Sequence, residues 1–425
     1  MPTVELRYGD SVIPFDFDEN QFQILGNEEQ SAPLSDAEIG ARFDQPVGSR
    51  PLEEIVAAGE SVLIVVPDAT RRTASGQIVN LLVRRLIANG TPAYDIGIVF
   101  ATGIHRKVTA EEKRELVTPF IAQRIKTFDH AARDLMRLAG LPSKQFADFG
   151  ETSTGIPIEL NRLLVDYDRV VTVGGVTFHY FAGFTGGRKL ICPGLASERT
   201  ILETHRLAFD CERKTRRAGV GPGLLDGNAV HEAFTEAAAK VNPSFAIDAI
   251  TNERGEATEV FCGDWRASHQ SACEFYAAAR TIEIAEKRDL VIVSCGGAPY
   301  DLNMIQAHKA LESAAAACAD GGTIVFLAEC RDGLGRDDFL DWFAAENAAE
   351  LAENLCSAYQ VNGQTAWSLL KKAEKFDVRV LTSLDESETR RMRLEKARSI
   401  EEASSPRNTK GYILPFGAKF MIKVR

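Results

Sequence analysis

Three short apolar runs, each followed directly by a polar loop, constrain the fold of this chain most strongly. They are SVLIVV at 61–66, DIGIVFATG at 95–103 and DRVVTVGG at 168–175. Their length and β-branched content are typical of buried strands. Apolar positions 78, 81, 82 and 86 predict a helix between the first two runs, ending at Asn89-Gly90. Strands that alternate with helices predict an open, mainly parallel α/β sheet, in which ligands bind at the carboxyl ends of the strands.

A second α/β series follows an alanine-rich helical stretch around 267–287. DLVIVSCGG at 289–297 and GGTIVFLAEC at 321–330 predict strands, and the residues between them predict one helix that ends before Gly321. We therefore expect two α/β domains with mainly parallel sheets, a first at 1–275 and a smaller second at 285–400. The opening residues predict a hairpin that turns at Gly9-Asp10, and the tail at 405–425 predicts a strand pair that packs back on the first domain.

Composition excludes several classes of function. A formal net charge of −11 over 425 residues argues against a nucleic-acid surface, which needs a basic face. The chain has no apolar run of about 18 residues, so we expect no membrane span. The start MPTVELRYGD lacks the pattern of a secretory signal. Eight scattered cysteines without zinc-like spacing predict a reduced cytoplasmic protein with mostly buried thiols.

Polar residues that could bind a ligand or take part in catalysis follow each of the first three predicted strands. Asp68 and Arg71 lie in the turn PDATRRT, where the planar fork of Arg71 suits a carboxylate. The alternative is an ion pair within the loop. His105 follows the second strand and His179 the third, which favours a catalytic role, although a lone histidine is often structural.

The stretch AGFTGGRKLICPG at 182–194 presents Lys189 from a glycine-rich loop. The backbone N–H groups of Gly186 and Gly187 suit a phosphate, yet the loop matches neither a P-loop nor a GxGxxG fingerprint. The alternative is a tight strand-to-helix connection. His205 lies in a helix that Ser197 is expected to cap, where it is either a metal ligand or a packed side chain.

Gln306 and Lys309 lie three residues apart in the second domain and therefore share one helix face. An amide and an ammonium near the start of a helix suit a small carboxylate. A solvated helix face is the alternative.

These motifs together resemble the nickel-dependent lactate racemase family. The matching elements are DATR (68–71), GIHR (103–106), HYFAGFTGGRKLICPG (179–194), ETH (203–205) and QAHK (306–309). Their order and spacing cover most of the chain. The resemblance implies two α/β domains with the active site in the cleft between them. It also implies a nickel-pincer nucleotide, a pyridinium mononucleotide bonded through a thioamide to Lys189, with His205 as the nickel ligand.

The resemblance further implies the roles of the remaining residues. His105 and His179 match the catalytic histidines, and Arg71, Gln306 and Lys309 match the residues that hold substrate. Asp68, Gly186 and Gly187 are expected to support the cofactor. The implied reaction is racemisation or epimerisation of a small 2-hydroxy acid, through reversible hydride transfer from C2 and a 2-keto acid. The implied partners are this substrate and the biosynthetic enzymes that load the cofactor.

The chain departs from the family pattern where substrate is selected. Ile305 stands where an aromatic residue is expected, Arg72 adds a charge, and His308 lies beside Lys309. Lactate, malate, longer or aromatic 2-hydroxy acids and aldonates therefore all stay open as substrates.

Other residues have no assigned chemistry in this interpretation. Cys192 is expected to be a packed thiol, and the histidines outside the motifs are expected to be structural or exposed: 130, 231, 269 and 308. Two alternative functions are a lyase that forms a Schiff base on Lys189 and a non-catalytic protein that binds a nucleotide or hydroxy acid.

Overall fold

The computed structural model describes residues 1–26, 31–71, 73–140, 143–404 and 410–425. Arg72, one of the departures from the family pattern, lies outside the described residues. Two six-stranded sheets form the centres of the two α/β domains, which confirms the predicted fold class. Within the described ranges, no helix has the length and apolar character that crossing a membrane requires.

The strands, in chain order, are β1 (Thr3–Tyr8), β2 (Ser11–Asp16), β3 (Phe22–Ile24), β4 (Val62–Pro67), β5 (Ile96–Ala101), β6 (Lys126–Asp129), β7 (Phe146–Glu151), β8 (Pro157–Asn161), β9 (Arg169–Gly175), β10 (Phe178–His179), β11 (Gly183–Phe184), β12 (Phe209–Asp210), β13 (Thr215–Arg216), β14 (Phe245–Thr251), β15 (Ala257–Gly263), β16 (Thr281–Ile284), β17 (Arg288–Ser294), β18 (Cys318–Leu327), β19 (Asp377–Leu381), β20 (Glu395–Lys396), β21 (Gly411–Leu414) and β22 (Met421–Val424).

The α-helices are α1 (Asp36–Phe43), α2 (Leu52–Ile55), α3 (Ser75–Ala88), α4 (Ala110–Val117), α5 (Pro119–Arg124), α6 (Leu135–Leu138), α7 (Leu163–Asp166), α8 (Glu198–Arg206), α9 (Ala229–Val241), α10 (Trp265–Arg280), α11 (Met304–Ala307), α12 (Ala310–Ala317), α13 (Ala348–Ser357), α14 (Val361–Lys375), α15 (Glu386–Arg391) and α16 (Ile400–Ala403). Short 3₁₀ segments occur at Ala93–Asp95, Gly187–Leu190 and Asp337–Ala344.

The first sheet has the strand order β15-β14-β9-β4-β5-β6 and is parallel except for the β14–β15 pair. Every residue of β4 is buried, as its continuous apolar run predicts. Helix α3 buries Ile78, Leu82 and Leu86 against this sheet. Because β9, β4 and β5 are parallel neighbours, their carboxyl ends meet at one edge, where the predicted functional loops begin.

The second sheet, β20-β19-β18-β17-β21-β3, is parallel throughout and uses strands from both ends of the chain. The hairpin at Gly9-Asp10 is confirmed, and its Leu6 packs with Leu290 of this sheet. The prediction that the tail forms its strand pair on the first domain is wrong. Strand β21 inserts between β17 and β3, and β22 pairs with β16. Between those strands, Lys419 forms a buried ion pair with Glu253 of the first domain, at 2.8 Å.

The helix predicted before Gly321 is interrupted. It forms α11 and α12, separated by His308 and Lys309, and residues from Cys318 onward already belong to β18. At the interruption the N–H of Lys309 bonds to the carbonyl of Gln306, and that of Leu311 bonds to His308, each three residues back. This local tightening changes which side chains share a face.

Several polar contacts connect the two domains beside the cleft. Arg216 on β13 contacts Glu312 on α12 at 2.8 Å, and Lys372 on α14 contacts the same carboxylate at 2.7 Å. The expectation of a fully reduced chain is wrong, because Cys211 and Cys356 form a disulfide between the domains. The six other cysteines are free and buried, and burial raises the pKa of Cys192 to about 12, as a packed thiol requires.

Candidate active site

A cavity of about 990 Å³ of empty space, part of it open to solvent, lies at the carboxyl edge of the first sheet. Residues around α11 and α12 close it from the second domain. The predicted site residues that line it are Asp68, Arg71, His105, His179, Gly186, Lys189, His205, Gln306 and Lys309. Motifs separated by more than two hundred positions in the sequence thus share one site.

His105 is paired with a carboxylate at the mouth of this cavity. Its Nδ1 lies 2.7 Å from Oδ2 of Asp68, whose Oδ1 accepts from Thr70 Oγ1 at 2.6 Å. Burial alone raises the pKa of Asp68, but His105, Thr70 and the charge of Arg71 outweigh it and lower that pKa to about 2. The ionised carboxylate only accepts hydrogen bonds, so Nδ1 carries the proton and Nε2 keeps its lone pair. The pair therefore prepares Nε2 of His105 to accept a proton.

His179 has the opposite surroundings. Its ring is buried, stacks on Tyr180 and contacts the edge of Phe181, with centroids 5.3 and 4.5 Å away. Burial, followed by the charges of Lys189 and Lys309, holds the pKa of His179 well below its usual value. Its Nδ1 accepts a hydrogen bond from the N–H of Ala182 at 3.3 Å, which leaves Nε2 to a bound molecule.

Lys189 extends from the 3₁₀ segment after the glycine pair into an aromatic setting. Its Nζ lies 5.5 Å from the ring centre of Phe181 and 5.7 Å from that of Phe234. Among the residues that the structure describes, no carboxylate pairs with this amine. Burial, and then the charge of Arg71, hold the pKa of Lys189 well below its ordinary value. An uncharged amine is a nucleophile, so this lysine is suited to covalent attachment.

His205 presents one free nitrogen to the same space. It lies in the last turn of α8, which Ser197 caps as predicted. Its Nδ1 donates to the carbonyl of Ile201 at 2.8 Å. Nδ1 therefore carries the proton, and Nε2 keeps its lone pair. Burial and the charge of Lys189 lower the pKa of His205 to about 3, so the ring stays neutral. A neutral imidazole fixed through its other nitrogen is the form that binds metals.

The glycine pair acts differently from the prediction. Gly186 lines the cavity, but the N–H of Gly187 donates to Asp248 Oδ1 at 2.9 Å and is not available to a phosphate. Both glycines have positive φ, +74° and +48°. A Cβ on Gly187 would lie 2.6 Å from the ring of His269, so this glycine is required for close packing behind the loop.

The residues predicted to bind the substrate carboxylate come from both domains. Lys309 Nζ donates to Oε1 of Gln306 at 2.5 Å, so the predicted pair on α11 and the following turn does form. Burial and the charge of Arg71 hold the pKa of Lys309 well below its ordinary value. Arg71 also contributes positive charge at His179 and Lys189. The repulsion from Arg71, which together with burial lowers the pKa of both lysines, is relieved when an anion binds among these side chains, so the site favours an anionic ligand.

The structure brings one of the unassigned histidines to the cavity. His130, His231 and His269 do not line the cavity, but His308 does, together with Ile305. The sequence placed His308 next to Lys309, where substrate is expected to be selected, but gave it no role.

Two further residues of the cavity wall have no role predicted from the sequence. Thr73 is buried, and its Oγ1 has no hydrogen-bond partner among the described residues. Tyr180 connects the domains, with its hydroxyl 3.3 Å from Oγ1 of Thr365. Thr73 lies outside the matched elements, and Tyr180 lies within HYFAGFTGGRKLICPG but has no role assigned there.

Within the described ranges, no group of three or more His, Cys, Asp or Glu side chains could hold a metal ion. His205 supplies a single nitrogen. A metal at this site therefore needs further ligands from a small molecule, which fits a metal that arrives within an organic cofactor.

Comparisons with known proteins agree with this geometry. Residues 8–216 match the family model described as lactate racemase N-terminal domain, and residues 284–411 match lactate racemase C-terminal domain. A lactate racemase from Thermoanaerobacterium thermosaccharolyticum is 31% identical over 347 residues, which cover 81% of this chain and 78% of that protein. One from Lactiplantibacillus plantarum is 31% identical over 307 residues, covering 72% of this chain and 69% of that protein.

Solved structures show the same similarity. The lactate racemase apoprotein from Thermoanaerobacterium thermosaccharolyticum matches with a TM-score of 0.88 and 26% identity, over 99% of this chain and 100% of that one. A Thermotoga maritima protein matches with a TM-score of 0.71 and 19% identity, over 94% and 100% of the two chains, and at that identity supports the fold alone. The chain belongs to the lactate racemase family, a family of isomerases.

Proposed function

We propose that this protein interconverts the stereoisomers at C2 of a 2-hydroxy acid, using a nickel-pincer nucleotide bonded to Lys189. Lactate is the substrate that its relatives' names support. The observation that carries the proposal is the pair formed by Lys189 and His205. An amine with a depressed pKa and an imidazole nitrogen fixed as a free lone pair line one cavity.

The residues present fit this cofactor. Lys189 would hold it covalently, and Nε2 of His205 would be the protein ligand to its nickel. The unpartnered Oγ1 of Thr73, two residues before helix α3, is available to an anionic group. When bound, the nucleotide supplies the acceptor for the hydrogen on C2.

The protein's own part begins with holding the substrate. Arg71 and Lys309 line the cavity from opposite domains, and both cations can bind the carboxylate of a 2-hydroxy acid. Gln306 orients Lys309 through their 2.5 Å hydrogen bond. An anchored carboxylate lets C2 change its configuration while the acid stays bound, and it keeps the planar 2-keto acid from leaving between the two steps.

The two histidines move the hydroxyl proton. Nε2 of His105 accepts it from one stereoisomer, and Asp68 stabilises the resulting imidazolium through the 2.7 Å bond to Nδ1. His179 accepts it from the other stereoisomer, and the histidine that is not the base in a given direction, in its protonated form, donates a proton to the oxygen on C2 when the 2-keto acid is reduced. Accepting a proton on Nε2 of His179 requires the tautomer that is protonated at Nδ1, which gives up the long 3.3 Å bond from Ala182.

The test is chemical analysis of protein made in a host that synthesises the cofactor. We expect about one nickel per chain, a mass increase on the peptide that contains Lys189, and racemisation of a 2-hydroxy acid in a chiral assay. Lys189→Ala should lose the nickel and all activity, whereas Lys309→Ala, a lysine of the same cavity, should keep the nickel.

The alternatives have their own outcomes in the same experiment. An unmodified Lys189 without nickel, in a host that loads a known lactate racemase, would contradict the proposal. An imine trapped on Lys189 by borohydride would support a lyase instead. If Lys189 is unmodified and the protein shows no turnover, the result would favour a binding protein.

A further inference from the structure

His308 is a buried side chain of the cavity wall that the reaction described above leaves unused. It is 1% exposed and lines the cavity beside Ile305 and Lys309. Its Nδ1 donates to the carbonyl of Ile305 at 2.7 Å, and its ring contacts the edge of Tyr180 at 4.9 Å. Its other nitrogen, Nε2, has no hydrogen-bond partner among the described residues.

The chemistry of that nitrogen is determined by these contacts. Because Nδ1 carries the proton that it donates, Nε2 of the neutral ring is a pure acceptor. Burial, followed by the charges of Lys372 and Lys309, lowers the pKa of His308 to about 3, so the ring is neutral at ordinary pH. A buried acceptor without a donor is unfavourable, and because His308 lines the cavity, a bound molecule that reaches Nε2 would supply the missing donor.

The groups of the substrate can be assigned in turn. Under the proposed function, the carboxylate has Arg71 and Lys309, the hydroxyl has His105 and His179, and the hydrogen on C2 faces the cofactor. The substituent that begins at C3 is the part of the molecule without an assigned contact. The polar side chains of the second domain that remain in the wall are Thr365, whose Oγ1 is paired with the hydroxyl of Tyr180, and His308, so His308 is the one with an unpartnered atom.

We propose that the protein acts on 2-hydroxy acids that carry a second hydroxyl group, on C3, and that this hydroxyl donates to Nε2 of His308. The inference rests on the proposed function and adds its substrate class. The methyl group of lactate leaves Nε2 unpaired. A carboxylate on C3, as in malate, has no proton to donate and places its charge against a lone pair. Ile305 adds no polar group that competes for the hydroxyl.

The test compares the two acids on protein that carries nickel and a modified Lys189. Racemisation of 2,3-dihydroxypropanoate and of lactate is followed by chiral chromatography, and kcat/KM is measured for both. We expect the dihydroxy acid to be preferred by roughly 5-fold to 150-fold, the range for a buried polar group left unpaired. His308→Phe keeps a ring against Tyr180 and should reduce this preference to about one, by slowing only the dihydroxy acid.

The control is His231→Phe, which removes another imidazole with an unpartnered nitrogen, at a position outside the cavity. It should leave the preference unchanged. If the loaded protein racemises lactate at least as fast as the dihydroxy acid, this inference is overturned and the proposed function stands. If it racemises neither acid nor any other 2-hydroxy acid, the proposed function fails first. The wild-type preference decides the matter even if His308→Phe does not fold.

Discussion

His105 and His179 follow strands that flank the same central strand, β4, yet their surroundings are opposite. The side chain of His105 is 40% exposed and bonded to the ionised Asp68. His179 is buried among aromatic rings, and its burial and the charges of Lys189, Lys309 and Arg71 lower its pKa. Asp68 thus places a negative charge beside His105, whereas the surroundings of His179 favour its neutral form. The proposed mechanism therefore assigns two unlike bases to the two mirror-image substrates.

The largest expected effect comes from removing either histidine. His105→Ala and His179→Ala should each lower the racemisation rate by about 100-fold to 10,000-fold, because general acid-base catalysis by one group is lost. Both variants should keep nickel and the modified Lys189, since neither side chain holds the cofactor. His231→Ala, outside the cavity, is the matched control and should racemise normally. Loss of nickel in either catalytic variant would show a cofactor-binding role instead.

A smaller effect is expected from Asp68, the residue that makes the two histidines different. Asp68→Asn keeps the shape but removes the charge that stabilises protonated His105, so kcat should fall by about 100-fold. Asp301→Asn, a buried carboxylate of the second domain, provides the comparison and should leave kcat unchanged. An unaltered kcat in Asp68→Asn would mean that His105 does not depend on its carboxylate.

The smallest effect concerns stability and its dependence on pH. The pKa of Asp68 falls from 3.8 to about 2 in the folded protein, so its ionisation favours folding above pH 4. This contribution, about 2 kcal/mol, is lost as the pH falls from 4 towards 2. In urea unfolding, Asp68→Asn should therefore be less stable than wild type by that amount at pH 7. The difference should narrow below pH 4, and a constant difference would contradict the depressed pKa.

The strands and the residues at their ends were predictable because both follow from local pattern. A continuous apolar run indicates a buried parallel strand, and neighbouring parallel strands bring their carboxyl ends together. These two local features place Asp68 and His105 in one site, without any information from distant parts of the chain. The resemblance to a family then added the expected roles of Lys189 and His205.

The features that were missed depend on long-range or fine geometry. Strand β21 pairs with β3 from the opposite end of the chain, and a strand's own sequence does not specify its partner. The disulfide joins Cys211 and Cys356, 145 positions apart. The bond from Gly187 to Asp248 and the interruption between α11 and α12 depend on how a loop and a helix are packed. The local periodicity of the sequence carries no information about such packing.

The central claim is that each histidine serves one stereoisomer, and a single-turnover experiment tests it most directly. Loaded His105→Ala and His179→Ala are mixed separately with each pure enantiomer in less than stoichiometric amount, and the 2-keto acid is measured after rapid acid quenching. The account predicts that His105→Ala forms keto acid from one enantiomer only, and that His179→Ala forms it only from the other. Keto acid from both enantiomers in either variant, or from the same enantiomer in both, would contradict it.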